Sequence, residues 1–168
     1  MIQKIMKIST TQMIAFGFLF AIFVGTILLS LPISTRDGSM TPIVDSLFTA
    51  TTSVCVTGLT TVVTVEHWSL FGQLVILALI QFGGLGIVTF TTTILLVLGK
   101  KITLKERLLI QDAYNLNTLS GLVKLTKRII KGTLIVEGVG ALFFMFQFIP
   151  EFHFIKGVYY SVFHSVSA

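Results

Sequence analysis

Residues 54–64 carry the most specific chemistry in this sequence, although it lies in the backbone rather than in the side chains. The segment is rich in β-branched residues and is interrupted by one glycine, Gly58. β-branched residues favour extended backbone, and extended backbone at membrane depth must be buried in protein or face a water-filled path. Carbonyl oxygens along such a path can replace the hydration shell of a monovalent cation, and Gly58 permits dihedral angles that aim them at one axis. A β-rich outer loop with an ordinary turn glycine also fits the pattern, so both interpretations stay open here.

Other kinds of site have little support in the sequence. His67, His153 and His164 share no metal-ligand spacing, and no catalytic triad, HExxH motif or phosphate-binding glycine loop occurs. The single cysteine, Cys55, excludes an internal disulfide and a cysteine-built metal cage. We expect Cys55 to be a small buried packing residue, because nothing near it in sequence would activate a thiol. We therefore expect neither an enzyme nor a protein with a bound cofactor.

A short helix is predicted directly before the glycine segment, at residues 43–53. Pro42 suits the start of a helix, and Asp45, Phe48, Thr49 and Thr52 follow within it. At ~1.5 Å per residue this helix reaches about halfway through a bilayer core of ~30 Å. We expect it to be a re-entrant pore helix whose partially negative C-terminal end points at the cation, with residues 54–60 as an extended filter loop.

The surrounding elements are predicted to be membrane spans. The sequence is 54% hydrophobic and 11% charged, against roughly 25% charged in soluble domains. Uncharged runs cover residues 8–35 and 67–99, and each exceeds the ~20 residues that a spanning helix needs. We predict spans at about 13–33, 68–98 and 129–149, with Pro32 ending the first and Trp68 anchoring the second at the headgroup level. The expected fold class is an all-α integral membrane protein.

The distribution of charge predicts the orientation. Eight of the twelve Lys and Arg residues lie in residues 100–131, whereas residues 36–66 hold one Arg and three acids. Basic residues collect in cytoplasmic loops, so residues 1–12 and the basic linker 99–131 are predicted to be cytoplasmic. The net charge of +5 therefore reflects membrane topology rather than nucleic-acid binding.

The basic linker has two possible roles. A capping box at Thr103 and Glu106 predicts the start of one helix, and a second basic helix is predicted at about 120–131. Both could simply lie on the membrane surface. The alternative is a docking surface for a cytoplasmic partner.

A weak internal repeat supports the pore interpretation. Residues 46–53 align with residues 161–168, with Ser46 matching Ser161 and Phe48 matching Phe163. A second repeat therefore begins near residue 132, with a second pore helix at about 157–168, and internal repeats are how many membrane transport folds are built. The alignment stops where a second filter would begin, so we expect this sequence to be the N-terminal part of a longer protein.

The sequence resembles the Trk/Ktr/HKT superfamily of potassium transporters, and most closely the membrane subunit of the bacterial Ktr potassium uptake systems. The likeness covers nearly the whole chain. The residues that carry it are Leu31-Pro-Ile-Ser34, Asp45-Ser-Leu-Phe-Thr-Ala50, Val56-Thr-Gly-Leu59, Ile80-Gln-Phe-Gly-Gly-Leu-Gly86, Gly99-Lys-Lys101, Leu104-Lys-Glu-Arg107 and Phe163-His-Ser-Val-Ser-Ala168.

The resemblance implies four membrane-pore-membrane repeats, of which the first is complete here, the second begins, and the third, with the gate, is absent. It implies that the main-chain carbonyls of Val56, Thr57, Gly58 and Leu59 form one quarter of a K⁺ filter, and that glycine at 58 favours potassium over sodium.

The resemblance also implies partners. These are the lipid bilayer of the cell membrane, a second copy of the protein in a homodimer, and a cytoplasmic ring of nucleotide-binding regulatory subunits. Within the basic linker, the residues available to contact such a ring are Lys100, Lys101, Lys105 and Arg107.

Two further features lie within the predicted spans. The glycines of residues 81–86 are expected to pack closely against the pore helix, with a hinge as the alternative. Glu137 is expected to form an ion pair with Lys131 or Arg128, although an intramembrane carboxylate is also a functional candidate.

These observations predict potassium uptake through a channel-like transporter subunit, with sodium-coupled symport left open. A non-conducting membrane scaffold or assembly subunit is the alternative. An intramembrane enzyme would need a set of polar catalytic groups, and Glu137 has no such set around it.

Overall fold

The computed structural model describes residues 10–97, 107–108, 110–111, 114 and 122–168. In this part of the chain the regular elements are helices, joined by short turns and one isolated β-bridge. They are α1 (Thr10–Ser30), a 3₁₀ turn (Pro32–Ser34), α2 (Ile43–Cys55), α3 (Thr64–His67), α4 (Leu70–Leu85), α5 (Ile87–Val97), α6 (Leu122–Phe152) and α7 (Phe154–Ser167).

Helix α1 has the length and composition of a membrane span. Its 21 residues extend ~31 Å, which matches a bilayer core of ~30 Å. The helix ends at Ser30, three residues before the predicted end, and the chain then enters the 3₁₀ turn at Pro32. Proline lacks the amide hydrogen that another α-helical turn would require.

Helix α6 joins two elements that the sequence predicted separately. The described part of the expected basic helix, from residue 122, and the expected span at 129–149 form one helix of 31 residues that continues past Pro150 to Phe152. Gly132 lies at the junction and does not interrupt it, because a single helical glycine costs only about 1 kcal/mol relative to alanine. Among the described residues α1 and α6 are each long and apolar enough to cross a membrane, and α4 with α5 makes a third span if counted together.

The structure differs from the single helix expected over residues 68–98. Helices α4 and α5 meet at Gly86 with a bend of 111°. Gly86 has φ +73°, a left-handed conformation that other residues rarely adopt, and its amide hydrogen bonds to the carbonyl oxygen of Gly83. The glycine-rich stretch therefore contains a sharp bend, at the position where the alternative interpretation expected a hinge.

A small core forms where α1, α2 and α4 pack together, and α7 packs along α6. The core residues include Leu29, Ala50, Val54, Ile76 and Leu79. By contrast, large apolar side chains face outward along α1 and α6, including Phe20 on α1 and Phe146, which is 80% exposed. Exposed apolar stripes of this length suit a bilayer or further protein rather than water.

A clasp of hydrogen bonds joins residues 34–36 to residues 67–69. The Arg36 amide donates to the His67 carbonyl oxygen at 3.0 Å, and the Ser69 amide donates to the Ser34 carbonyl oxygen at 2.9 Å. Between them Thr35 and Trp68 form the β-bridge. The clasp closes the base of the segment that contains α2.

Some predictions fall outside the described residues. They include residues 1–9, the capping box at Thr103 and Glu106, and the basic side chains Lys100, Lys101 and Lys105. Arg107 is described, and it is exposed.

Candidate functional site

The site is built at the C-terminal end of α2, a helix of 13 residues and so ~20 Å long. It begins directly after Pro42, as expected, and carries Asp45 in its first turn, where a negative charge is favourable. It ends at Cys55, two residues later than predicted. One face is buried against α1 and α4, and the residues of that face are Ser46, Thr49, Ala50, Ser53 and Val54.

The loop that follows α2 reverses the chain through two left-handed residues. Val56 has φ +52° and Gly58 has φ +72°. The filter loop was expected to leave the helix at Val54, but Val54 and Cys55 are helical and the irregular backbone begins at Val56. Within the described part of the chain, no backbone hydrogen bond ends on the carbonyl oxygens of residues 56–60, and all five residues are exposed.

Thr52, in the last turns of α2, holds Thr57 and Leu59 of this loop through its carbonyl oxygen and its hydroxyl. Its carbonyl oxygen accepts from the Thr57 amide at 3.0 Å. Its hydroxyl accepts from the Leu59 amide at 3.0 Å and shares a hydrogen with the Thr57 hydroxyl at 2.5 Å. The loop therefore has a defined shape despite its exposure.

A cavity of about 290 Å³ adjoins the loop and is open on one side. Its lining is mostly apolar, with hydroxyl groups and main-chain atoms as the polar component. The residues that line it include Thr49, Thr52, Val56, Gly58, Leu59, Trp68, Phe163, His164 and Ser167.

The predicted site residues divide into two groups. Of the four named in the helix, Thr49 and Thr52 line the cavity, whereas Phe48 and Asp45, which lies in the first turn, are not part of the lining. Of the four filter residues, Val56, Gly58 and Leu59 line the cavity and Thr57 is bonded to Thr52.

Helix α7 contributes residues that the sequence did not assign to this site. Phe163, His164 and Ser167 face the same cavity as Gly58. The sequence did indicate a role for these three residues, because they lie in residues 161–168, which align with residues 46–53. In the structure the two copies of that segment meet around one space.

Two side chains near the cavity contradict their predictions. Cys55 is exposed, because it is the last residue of α2 and lies just past the buried face that ends at Val54. Trp68 is 1% exposed and is therefore not an anchor at the headgroups. The clasp holds it inward, where its carbonyl oxygen accepts from Gln73 at 2.9 Å.

The close approach of α4 to α2 depends on Gly83. A Cβ atom at this position would overlap the Val54 carbonyl oxygen and lie 2.7 Å from the carbonyl carbon. The expected close packing against the short helix is thus present at Gly83, three residues before the bend at Gly86.

Glu137 has a different partner from the basic residue that was predicted. Its carboxylate accepts a hydrogen bond from the side-chain amide of Gln81 in α4, and its backbone carbonyl accepts from Ser165 of α7 at 2.5 Å. The ion-pair prediction is therefore wrong, because α6 presents Glu137 to α4 rather than to its own preceding turns.

Among the described residues that line the cavity, none is Asp, Glu, Lys or Arg. Within the described residues, no group of three or more His, Cys, Asp or Glu side chains is placed to hold a metal ion. Asp37 lies near the clasp, and hydrogen bonds from the Ser39 hydroxyl and amide lower its pKa below the ordinary 3.8. The oxygens that the described loop itself offers are main-chain carbonyls and threonine hydroxyls, which carry no net charge.

Comparison with known proteins identifies the family. The family model TrkH, described as cation transport protein, matches residues 6–168. The potassium/sodium uptake protein NtpJ of Enterococcus hirae is 43% identical over 162 residues, which cover 96% of this chain and 36% of that protein. The Ktr system potassium uptake protein B of Bacillus subtilis is 41% identical over 98% of this chain and 37% of that protein.

The corresponding protein of Vibrio alginolyticus is 34% identical over 94% of this chain and 34% of its own length. The chain spans about a third of the length of these relatives. The resemblance drawn from the sequence is confirmed, and so is the expectation that the chain is not an enzyme. The chain belongs to the TrkH family of cation transport proteins.

Proposed function

We propose that this chain forms part of a potassium uptake transporter and supplies one segment of its selectivity filter. The observation that carries the proposal is the exposed loop at residues 56–59, which follows a helix too short to cross a bilayer, borders a cavity, and has main-chain carbonyl oxygens that accept no backbone hydrogen bond from the described residues. Relatives named as potassium or potassium/sodium uptake proteins support the choice of ion.

The physical basis is the replacement of water by carbonyl oxygens. A K⁺ ion that enters a narrow path must exchange its hydration shell for oxygen ligands. Helix α2 enters the membrane from the end at Pro42 and returns as the loop, so that its C-terminal end directs a partial negative charge toward the ion. The left-handed conformation of Gly58 lets the loop turn without a side chain in the path.

One such loop cannot surround an ion, so the proposal requires further segments around it. The exposed side of the loop, where Val56 is 46% and Leu59 is 60% exposed, is the side on which they would lie. We include in the proposal a homodimer, cytoplasmic regulatory subunits that contact the basic linker, a cytoplasmic N-terminus and sodium-dependent uptake. The relative NtpJ is named a potassium/sodium uptake protein, which is why sodium is included.

The test is potassium uptake by cells that lack their own uptake systems and express the full-length protein with Gly58→Ser or Gly58→Asp. We expect Gly58→Ser to lower the preference for K⁺ over Na⁺ and Gly58→Asp to abolish uptake. Gly38→Ser is a matched control: Gly38 has φ +70°, and like Gly58 it has no atom within 4 Å of a built Cβ. Each of the two substitutions places a side chain on a positive-φ backbone, at a cost of roughly 1–2 kcal/mol, but Gly38 does not line the cavity.

Equal selectivity of the Gly58→Ser, Gly38→Ser and unmodified proteins would refute the proposal. A second measurement separates a filter from a non-conducting scaffold. Single cysteines at positions 56–59, in a Cys55→Ser background because Cys55 is itself exposed, should be protected from thiol reagents by K⁺. A scaffold would show no dependence on the ion.

A further inference from the structure

We infer that Thr52 is a positioning residue that sets ion selectivity by fixing the direction of the Gly58 carbonyl. This inference rests on the proposed function and assigns a role to a side chain that need not touch the ion. It follows from the hydrogen bonds of Thr52 and from the geometry of the peptide group.

A trans peptide is planar, so its N–H and C=O bonds point in opposite directions. The Leu59 amide and the Gly58 carbonyl belong to one peptide group, and no peptide bond of the described chain is cis. Because the Leu59 amide donates to the Thr52 hydroxyl, the Gly58 carbonyl is directed away from α2. The same reasoning applies one step earlier: the Thr57 amide donates to the Thr52 carbonyl oxygen, which directs the Val56 carbonyl away from α2.

The two peptide groups differ in how they are held. The Val56–Thr57 group is fixed by a main-chain oxygen, which every residue has. The Gly58–Leu59 group is fixed by a side-chain hydroxyl, and it follows a glycine, whose backbone resists rotation least. The hydroxyl of Thr52 is therefore the part of the support that a substitution can remove, and its loss frees the Gly58 peptide to rotate.

The second copy of the repeated segment has a hydroxyl at the equivalent position. The alignment that pairs Ser46 with Ser161 pairs Thr52 with Ser167. Ser167 lines the same cavity as Thr52. If each helix positions the backbone that follows it, both copies need a hydroxyl at this position, and both have one.

The experiment compares Thr52→Val with Thr51→Val in the full-length protein, measuring the ratio of K⁺ to Na⁺ uptake. Both substitutions replace a hydroxyl by a methyl group of similar shape. Thr51 donates its hydroxyl hydrogen to the Leu47 carbonyl oxygen within α2 and does not reach the loop. Thr52→Val removes both hydrogen bonds of the hydroxyl, with the Leu59 amide and with the Thr57 hydroxyl. Loss of the Leu59 bond alone corresponds to about a three- to tenfold change, so Thr52→Val should lower the selectivity ratio by at least about threefold and Thr51→Val should leave it unchanged.

Thr52→Ser keeps the hydroxyl and should retain the selectivity of the unmodified protein. The ratio does not depend on the amount of protein in the membrane, and Thr52→Ala serves if Thr52→Val fails to reach it. Equal ratios for the position-52 and position-51 variants would overturn the inference, as would a loss of selectivity in Thr52→Ser, which would assign the effect to the methyl group. Gly58→Ser in the same assay distinguishes failure of this inference from failure of the proposed function. If Gly58→Ser changes the selectivity ratio and Thr52→Val does not, only the inference fails. If neither variant changes the ratio, the proposed function fails as well.

Discussion

Replacing Gly83 by alanine tests whether the contact between α4 and α2 supports the loop. The added Cβ would lie 2.7 Å from the Val54 carbonyl carbon and 3.1 Å from its Cα, and would overlap the carbonyl oxygen. These are backbone atoms, so no side-chain rotation relieves the overlap. Either α4 or the end of α2 must move, and the loop begins two residues after Val54.

The size of the effect follows from comparison with Gly84, the next residue of the same helix. A Cβ at Gly84 meets no atom within 4 Å. Both substitutions gain the helix propensity of alanine over glycine, up to about 1 kcal/mol, so this gain cancels between them. Overpacking a tight contact costs about 1–3 kcal/mol, and we expect Gly83→Ala to be less stable than Gly84→Ala by this amount.

The assay is thermal unfolding of the full-length protein in lipid nanodiscs, together with potassium uptake in cells. Gly84→Ala should keep the stability and the uptake of the unmodified protein or improve its stability slightly. Gly83→Ala should unfold at lower temperature and transport less potassium per molecule. Equal unfolding temperatures and equal uptake for the two variants would refute the argument that the Gly83 contact positions the end of α2.

Two further predictions concern polar contacts away from the loop. Gln81→Leu removes the donor to Glu137 and should lower the free energy of unfolding by about 1–3 kcal/mol. Adding Glu137→Leu should largely restore that stability in nanodisc unfolding experiments. A double variant as unstable as the single one would contradict this. Ser39→Ala should raise the pKa of Asp37 toward 3.8 in a carbon-13 NMR titration, because the Ser39 hydrogen bonds lower it. The pKa of Asp37 is lower in the folded protein than in the unfolded chain, so its ionised carboxylate stabilises the folded state above pH 3.8. This stabilisation disappears as the pH falls through the folded pKa. The difference in stability between the variant and the unmodified protein should therefore vanish in strong acid.

The predictable parts of the fold were those fixed by local chemistry. Pro32 ends α1 because it lacks an amide hydrogen, and Pro42 begins α2 for the same reason. Gly58 was singled out as the position that needs unusual dihedral angles, and it has a positive φ. Each of these properties belongs to one residue and its immediate neighbours.

The features that were missed depend on contacts between distant segments. The burial of Trp68 follows from pairing with Thr35, and the partner of Glu137 lies on another helix, 56 positions away in sequence. Thr52 was placed correctly in the short helix, but its bond to Leu59 requires knowledge of where the helix ends and how the loop returns. Because α2 ends two residues later than predicted, the hydrogen bond between Thr52 and Leu59 was not anticipated from the sequence.

The clasp brings together the two ends of the segment that holds α2 and the loop. The Ser69 hydroxyl donates to the Ile33 carbonyl oxygen, 36 positions earlier in the sequence, at 2.6 Å. Units whose ends lie close together can be inserted or copied with little change to the chain around them, and the entropy lost in closing such a loop grows only slowly with its length. Gene duplication can therefore multiply a unit of this kind without redesigning its surroundings. The match of Ser46 with Ser161 and of Phe48 with Phe163 is the kind of similarity that such copying would leave.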